Sequence, residues 1–213
     1  MIKVEYFTFN PLQENTYVLS NEKGDALIID PGCYFTAEEE SLHNHINKQG
    51  LTPVQLLNTH CHLDHVFGNR WAVKTYGLEL YLHPAEQEIL ELAPMMGAAW
   101  GFSFTNYDGP LHFLNAGDTV TLGEDELAVL LAPGHSPGSI CFYSKAQGFV
   151  IGGDVLFRES IGRADLPGGN YDELINSIQT QLFTLPDDTI VYSGHGPETT
   201  VGYEKRNNPY VGV

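Results

Sequence analysis

The sequence predicts an α/β protein built from two β-sheets packed face to face with helices outside, and three observations carry that expectation. Short runs rich in β-branched and aromatic residues alternate with helical segments in two successive stretches, which is the pattern of a layered sandwich. The 213 residues are 42% hydrophobic and 17% charged, with 22 Gly and 12 Pro, a composition that builds a real core and excludes disordered, coiled-coil and collagenous chains. No repeat joins the two stretches, so a single domain over 1–213 is expected.

The elements follow in order. IKVEYFTF, NTYVLSN and DALIID (2–9, 15–21 and 25–30) are separated by Asn, Pro and Gly breakers and read as an opening antiparallel meander. Residues 36–50 start at a Thr N-cap with an acidic first turn and stop at Gly50, the signals of a helix. A buried strand at 54–58, a helix at 69–76, a strand at 80–82 and a helix at 84–92 continue the alternation. A helix-poor segment, 94–110, then interrupts it. Beyond residue 118, TVTLG, ELAVLLA, SICFYS and FVIGG read as strands, about 171–183 as a helix, and TIVYSG as the closing strand.

Charge narrows the partners. Ten Lys+Arg against 27 Asp+Glu give a formal net charge of -17, which repels a phosphate backbone or an anionic membrane surface at long range, so neither nucleic acid nor a membrane is expected. Cys33, Cys61 and Cys141 form no CxxC pair, so a disulfide framework is not indicated and a reducing cytoplasm suits the chain. The N-terminus lacks the basic and apolar regions of a secretory signal, and no apolar run approaches membrane-spanning length. Oligomeric state is left open.

The strongest chemical signal is Thr59-His60-Cys61-His62-Leu63-Asp64-His65, directly after the apolar strand VQLLN. His60 and His62, two apart on extended backbone, can project to one side and offer one cation two imidazoles. Four ligand-type residues in six positions exceed the need of one tetrahedral ion and point to two ions. His135 in APGHSPG, Asp154 in GGD and His195 in SGHG each follow an expected strand, and Gly or Pro beside them lets the backbone turn sharply. His43, His45, His83 and His112 lack such surroundings and read as structural or solvated.

Taken together, His60, His62, Asp64, His65, His135, Asp154 and His195 resemble the ligand set of the metallo-β-lactamase superfamily, and Ile161-Gly-Arg163-Ala-Asp165 resembles its short glyoxalase II-like hydrolases. The resemblance spans nearly the whole chain. It implies an αββα four-layer sandwich with one metal on His60, His62 and His135, a second on Asp64, His65 and His195, and Asp154 bridging them. Zinc suits the imidazoles first, with iron and manganese as alternatives. The implied chemistry is hydrolysis of an acyl thioester, a small acyl-thiol substrate being attacked by a metal-bridging hydroxide oriented by Asp64. A thiolate leaves almost unaided where an amine needs an acid, and no acid for that task stands out.

Around this centre, Cys61 is expected to turn its thiol away rather than act as a nucleophile. Segment 94–110 places Trp100, Phe102 and Tyr107 either in a mobile apolar lid that contacts substrate or in a satellite core. Arg163 either meets a substrate carboxylate or pairs with Asp165 or Glu159. Full-length glyoxalase II enzymes add a C-terminal helical domain that supplies much of the glutathione contact. This chain ends soon after His195, so that domain is not expected, the thiol stays open, and Lys205 and Arg206 are expected on a solvated tail. Two alternatives stand beside the hydrolase. One is a persulfide dioxygenase of the same family, with one iron on His60, His135 and Asp154. The other is a non-catalytic metal-bearing redox or partner-binding module.

Overall fold

Period-two alternation sorts the strand side chains into layers. The computed structural model describes residues 1–211 and places fourteen strands in chain order. The first sheet holds β1 (Lys3–Phe9), β2 (Glu14–Ser20), β3 (Asp25–Ile29), β4 (Thr52–Leu57), β5 (Leu80–Leu82) and β6 (Leu111–Phe113), in that spatial order. β1 to β3 form the expected antiparallel meander, and β3 to β6 pair in parallel. The second sheet runs β14 (Thr199–Thr200), β13 (Ile190–Ser193), β10 (Phe149–Gly153), β9 (Ile140–Ser144), β8 (Asp125–Leu131), β7 (Thr119–Leu122). A separate hairpin joins β11 (Leu156–Phe157) to β12 (Ser160–Ile161).

Leu27 and Ile29 of β3 meet Ile140 and Phe142 of β9 in a central apolar layer between the sheets. Their neighbours Ala26 and Ile28 face the other way, against α1 (Thr36–Gln49), α2 (Leu63–Val66), α3 (Asn69–Tyr76) and α4 (Gln87–Ala99). Cys141 and Tyr143 likewise face α5 (Tyr171–Ser177), the π-helical turn Ile178–Leu182 that continues it, and α6 (Val201–Asn207). Helix, sheet, sheet, helix is therefore the layer order, as the family resemblance implied. No helix of the described residues is long and apolar enough to cross a membrane.

Three local expectations change. Thr36 is the first helical residue of α1 and Phe35 the N-cap; the Glu38 carboxylate accepts the N–H groups of Tyr34 at 2.8 Å and Phe35 at 3.0 Å in place of a threonine cap. The C-terminal tail is docked rather than solvated: it supplies β14 and α6, and Lys205 and Arg206 pair with Asp187, while residues 212–213 of that tail lie outside the described residues. The helix expected to stop at residue 92 continues through Pro94 to Ala99. Proline has no N–H to give the carbonyl four residues earlier, which is that of Leu90. Asn106 fills this gap, its side-chain amide donating to the Leu90 carbonyl at 2.5 Å from the following loop.

Replacing Asn106 with Ala strands that carbonyl, and we expect a loss of about 1–2 kcal/mol in unfolding free energy. A denaturation midpoint equal to that of the unaltered chain would show that the bond does not support the helix.

Candidate metal centre

Four strand ends converge on one spot. β8, β10 and β13 point the same way in the second sheet and end just before His135, Asp154 and His195; β4 in the first sheet ends before His60. After β4 the chain stays extended through His62, then winds the single turn α2, so the loop delivers His60 and His62 and the turn delivers Asp64 and His65. Gly134 takes a left-handed φ of 126° at the approach to His135, with Leu174 packed where a side chain would stand. All seven residues expected as ligands are brought together. His60, His62 and His135 form one triad and Asp64, His65 and His195 another. Asp154 lies between them, 3.4 Å from His65 Nε2 and 3.5 Å from both His135 Nε2 and His195 Nε2.

Hydrogen bonds on the outer ring nitrogens fix which atoms face inward. The Nδ1–H groups of His65, His135 and His195 donate to Asp30, the Arg163 carbonyl and the Gln13 carbonyl, at 3.1, 2.7 and 3.0 Å. Thr59 gives its hydroxyl proton to Asp30, so its oxygen accepts from His60 Nδ1 at 3.1 Å. The Nε2 lone pairs of His60 and His135 therefore oppose each other at 3.2 Å, and His62 Nδ1 is 2.8 Å from His135 Nε2. Donors about 2.0–2.1 Å from a tetrahedral ion are separated by about 3.3 Å, which the His60–His135 spacing matches and the His62–His135 spacing falls short of. Two further inward atoms, His65 Nε2 and Asp154 Oδ1, are buried without a hydrogen-bond partner. The donor set fits divalent cations.

The electrostatics agree. Burial, followed by the neighbouring imidazoles, holds His60 well below its ordinary pKa and His62 at about 3; burial lowers His135 as well, so this triad is neutral and ready to coordinate. At His65 burial opposes the charged form, but Asp154 and Asp64 outweigh it and raise the group well above its ordinary value. Burial opposes ionisation of Asp154 too, and the imidazoles of His65 and His195 outweigh it in the opposite direction. A field that favours a proton on His65 favours a metal cation there.

Sequence reasoning missed the supports. Asp30, in left-handed backbone at φ 49°, accepts from the Thr59 N–H and hydroxyl, from Asn58 and from His65. It follows an apolar strand and precedes Pro31-Gly32, the same signal that marked Asp154. Glu14 is fully buried 3.9 Å from His65. Glu86 is fully buried as well: one oxygen accepts the Cys61 N–H at 2.7 Å, and the other accepts the Ser136 hydroxyl at 2.6 Å and the Gly138 N–H at 2.7 Å. It ties both ligand loops of the first triad to the start of α4, and nothing local in the sequence marks it.

The centre floors a cavity of about 410 Å³. Trp100 lines it, with Ile89, Leu92, Ala93 and Met96 of α4. Phe102 and Tyr107 do not reach it; they pack against the outer core of the first sheet, Phe102 on Tyr34 and Phe67, because Gly97 leaves room for the loop to fold back on α4. The substrate contact expected of these two residues is thus replaced by a packing role. Arg163 lines the cavity but its guanidinium is bidentate to Asp165, at 2.7 and 2.9 Å. Cys61 is buried, and burial followed by the Glu86 and Asp30 carboxylates keeps its thiol neutral, well above its ordinary pKa. His43, His45 and His112 engage Tyr76, Glu5 and Glu79, and His83 caps a short helical turn.

Layer order and ligand set define a metal-dependent hydrolase of the αββα kind. The chain belongs to the metallo-beta-lactamase superfamily, whose family model matches residues 9–195. It is 40% identical over 202 residues to a probable metallo-hydrolase, YqgX, of Bacillus subtilis, covering 94% of this chain and 93% of that protein. It is 34% identical over 212 residues to the hydroxyacylglutathione hydrolase GloC of Haemophilus influenzae, covering 99% and 98%. Among solved structures it resembles the BLEG-1 B3 metallo-beta-lactamase (TM-score 0.90, 36% identity, 98% and 99% covered) and TTHA1623 in a di-iron-bound form (TM-score 0.88, 39% identity, 97% and 99% covered).

Two variants test this geometry. A Cβ on Gly194 would stand 2.1 Å from Asp154 Oδ1, so Gly194→Ala is expected to displace that carboxylate and lower bound metal; full metal content by elemental analysis would contradict it. Glu86→Gln turns an amide NH₂ toward a donor, and chelator competition should show metal held about 10–100-fold less tightly. Unchanged competition would confine Glu86 to packing.

Proposed function

We propose that the chain is a dinuclear metal-dependent thioesterase that hydrolyses a small acyl-thiol substrate, with zinc as the first-choice ion and iron or manganese matching the same donors. The observation that carries this reading is the pair of triads sharing Asp154, their lone pairs and carboxylate oxygens turned inward. His60, His62 and His135 would hold one ion, Asp64, His65 and His195 the other, and Asp154 both. Bound divalent ions supply acidified water and polarise a carbonyl.

The chain's own residues do the rest. Asp64, on the cavity floor with Oδ2 3.1 Å from His195 Nε2, accepts a hydrogen bond from the attacking water and aims its lone pair at the carbonyl carbon. Ile89, Leu92, Ala93, Met96 and Trp100 give the cavity an apolar wall beside that carboxylate. Apart from the ligands, the polar side chains lining the cavity are Ser160 and Arg163 with the buried Cys61, and none is a carboxylic acid or imidazole able to protonate a leaving amine. A thiolate, whose conjugate acid has a pKa near about 8.5, needs no such help. That favours thioesters over the amide of a β-lactam, and the hydroxyacylglutathione hydrolase relative supports it. Three free, buried thiols suit a reducing, cytoplasmic setting.

Elemental analysis paired with turnover is the test. Two ions per chain with thioester hydrolysis, lost by more than about a hundredfold in Asp154→Ala, is the expected result. One iron per chain with oxygen consumed on glutathione persulfide would replace the hydrolase with a dioxygenase. A metal-loaded chain inert toward both would leave a binding module.

A further inference from the structure

We infer that the acyl half of the substrate is an uncharged, unbranched hydrocarbon chain laid along α4, and that the thiol half carries no net charge. This rests on the thioesterase reading and narrows it. Ile89, Leu92, Ala93, Met96 and Trp100 follow the spacing i, i+3, i+4, i+7, i+11, so they form one continuous apolar stripe on α4. That stripe lines the cavity while Ile89, Ala93 and Met96 also touch the outer core of the first sheet, and Trp100 is left 44% exposed. Phe157, Ile161 and Leu166 stand opposite, making a slot with apolar sides and a polar metal floor.

Along the stripe the one polar side-chain atom among the described lining residues is the Trp100 indole N–H, and Ser160 lies elsewhere in the lining. A 2-hydroxyacyl group buried against the stripe would give up most of its water hydrogen bonds. Charge argues likewise for the thiol. Among the described residues the one Lys or Arg lining the cavity is Arg163, already engaged on both sides of its fork by Asp165, in a chain of formal charge -17. A thiol bearing carboxylates or phosphates meets repulsion from the chain's overall charge and no unpaired cationic side chain among the described lining residues. The reaction itself balances simply: water adds to the thioester carbon, the C–S bond breaks, and a carboxylate, a thiol and one proton are released.

The experiment is a chain-length series with the metal-loaded protein. N-acetylcysteamine thioesters from butanoyl to octanoyl are expected to gain roughly fourfold in kcat/KM per methylene, the gain from burying one CH₂. S-lactoylglutathione should fall below the hexanoyl ester, and Met96→Gln should flatten the series. In parallel, Trp100 fluorescence is titrated with S-hexyl- and S-methyl-N-acetylcysteamine, thioethers that have no carbonyl to hydrolyse; the hexyl compound should bind at least about tenfold more tightly. Hydrolysis that is flat with chain length, or best on S-lactoylglutathione, overturns the inference and leaves the thioesterase intact. Tighter hexyl binding with no thioester cleaved overturns the thioesterase reading instead. Equal binding of the two thioethers overturns the apolar slot whatever the turnover.

Discussion

The structure depends on one electrostatic constraint: the imidazoles of His60, His62, His65, His135 and His195 and the carboxylates of Asp64 and Asp154 turn their lone pairs into one small volume. Such a cluster is costly to bury unless positive charge balances it. Burial opposes protons on the first triad, and fixed acceptors hold the protons of four imidazoles on the outward nitrogen. The convergence is therefore useful only with cations at its centre.

The layered architecture explains how that convergence is reached. Two facing sheets share an apolar layer, and strands from both end at the same edge. Each segment bearing candidate ligands leaves a strand whose own side chains are locked in the core, Asp64 and His65 by way of α2, which limits how far these groups can drift. Small residues do the local work. A side chain at Gly194 would collide with Asp154, and one at Gly134 would collide with the start of α5. The core sets the directions, while the glycines permit the final approach.

What the sequence revealed and what it hid follow from where each signal resides. The seven candidate ligands were legible because each segment carries its own signal: an apolar strand before it, and a histidine cluster or Gly and Pro around it. The layers were legible because alternation is a local property. Pro94 misled because a proline reads as a helix stop, whereas the group that rescues the helix, Asn106, lies in the next loop and meets the Leu90 carbonyl only after folding. Phe102 and Tyr107 share the composition of cleft residues, and only packing beneath the loop, Phe102 on Tyr34 and Phe67 and Tyr107 on the outer core of the first sheet, separates them from Trp100. Glu86 was hidden for the opposite reason: an acidic residue near a helix start normally faces water, and its three donors come from two distant loops.

α4 joins these observations. Its start holds Glu86, whose carboxylate fixes the backbone of Cys61, between two ligands, and of Gly138 and the hydroxyl of Ser136, beside a third. Its cavity side carries the apolar stripe, Asn106 holds the Leu90 carbonyl in its first turn, and its far end is steadied by the packing of Phe104 against Gly97. One rigid element thus sets both the position of the ligand loops and the wall a substrate touches. A substitution in that wall need not stay local: a shift of α4 moves Glu86, and Glu86 moves the loops. The wall and the candidate ligand loops share one helix, the stripe along its length and Glu86, bonded to Cys61, Ser136 and Gly138, at its start.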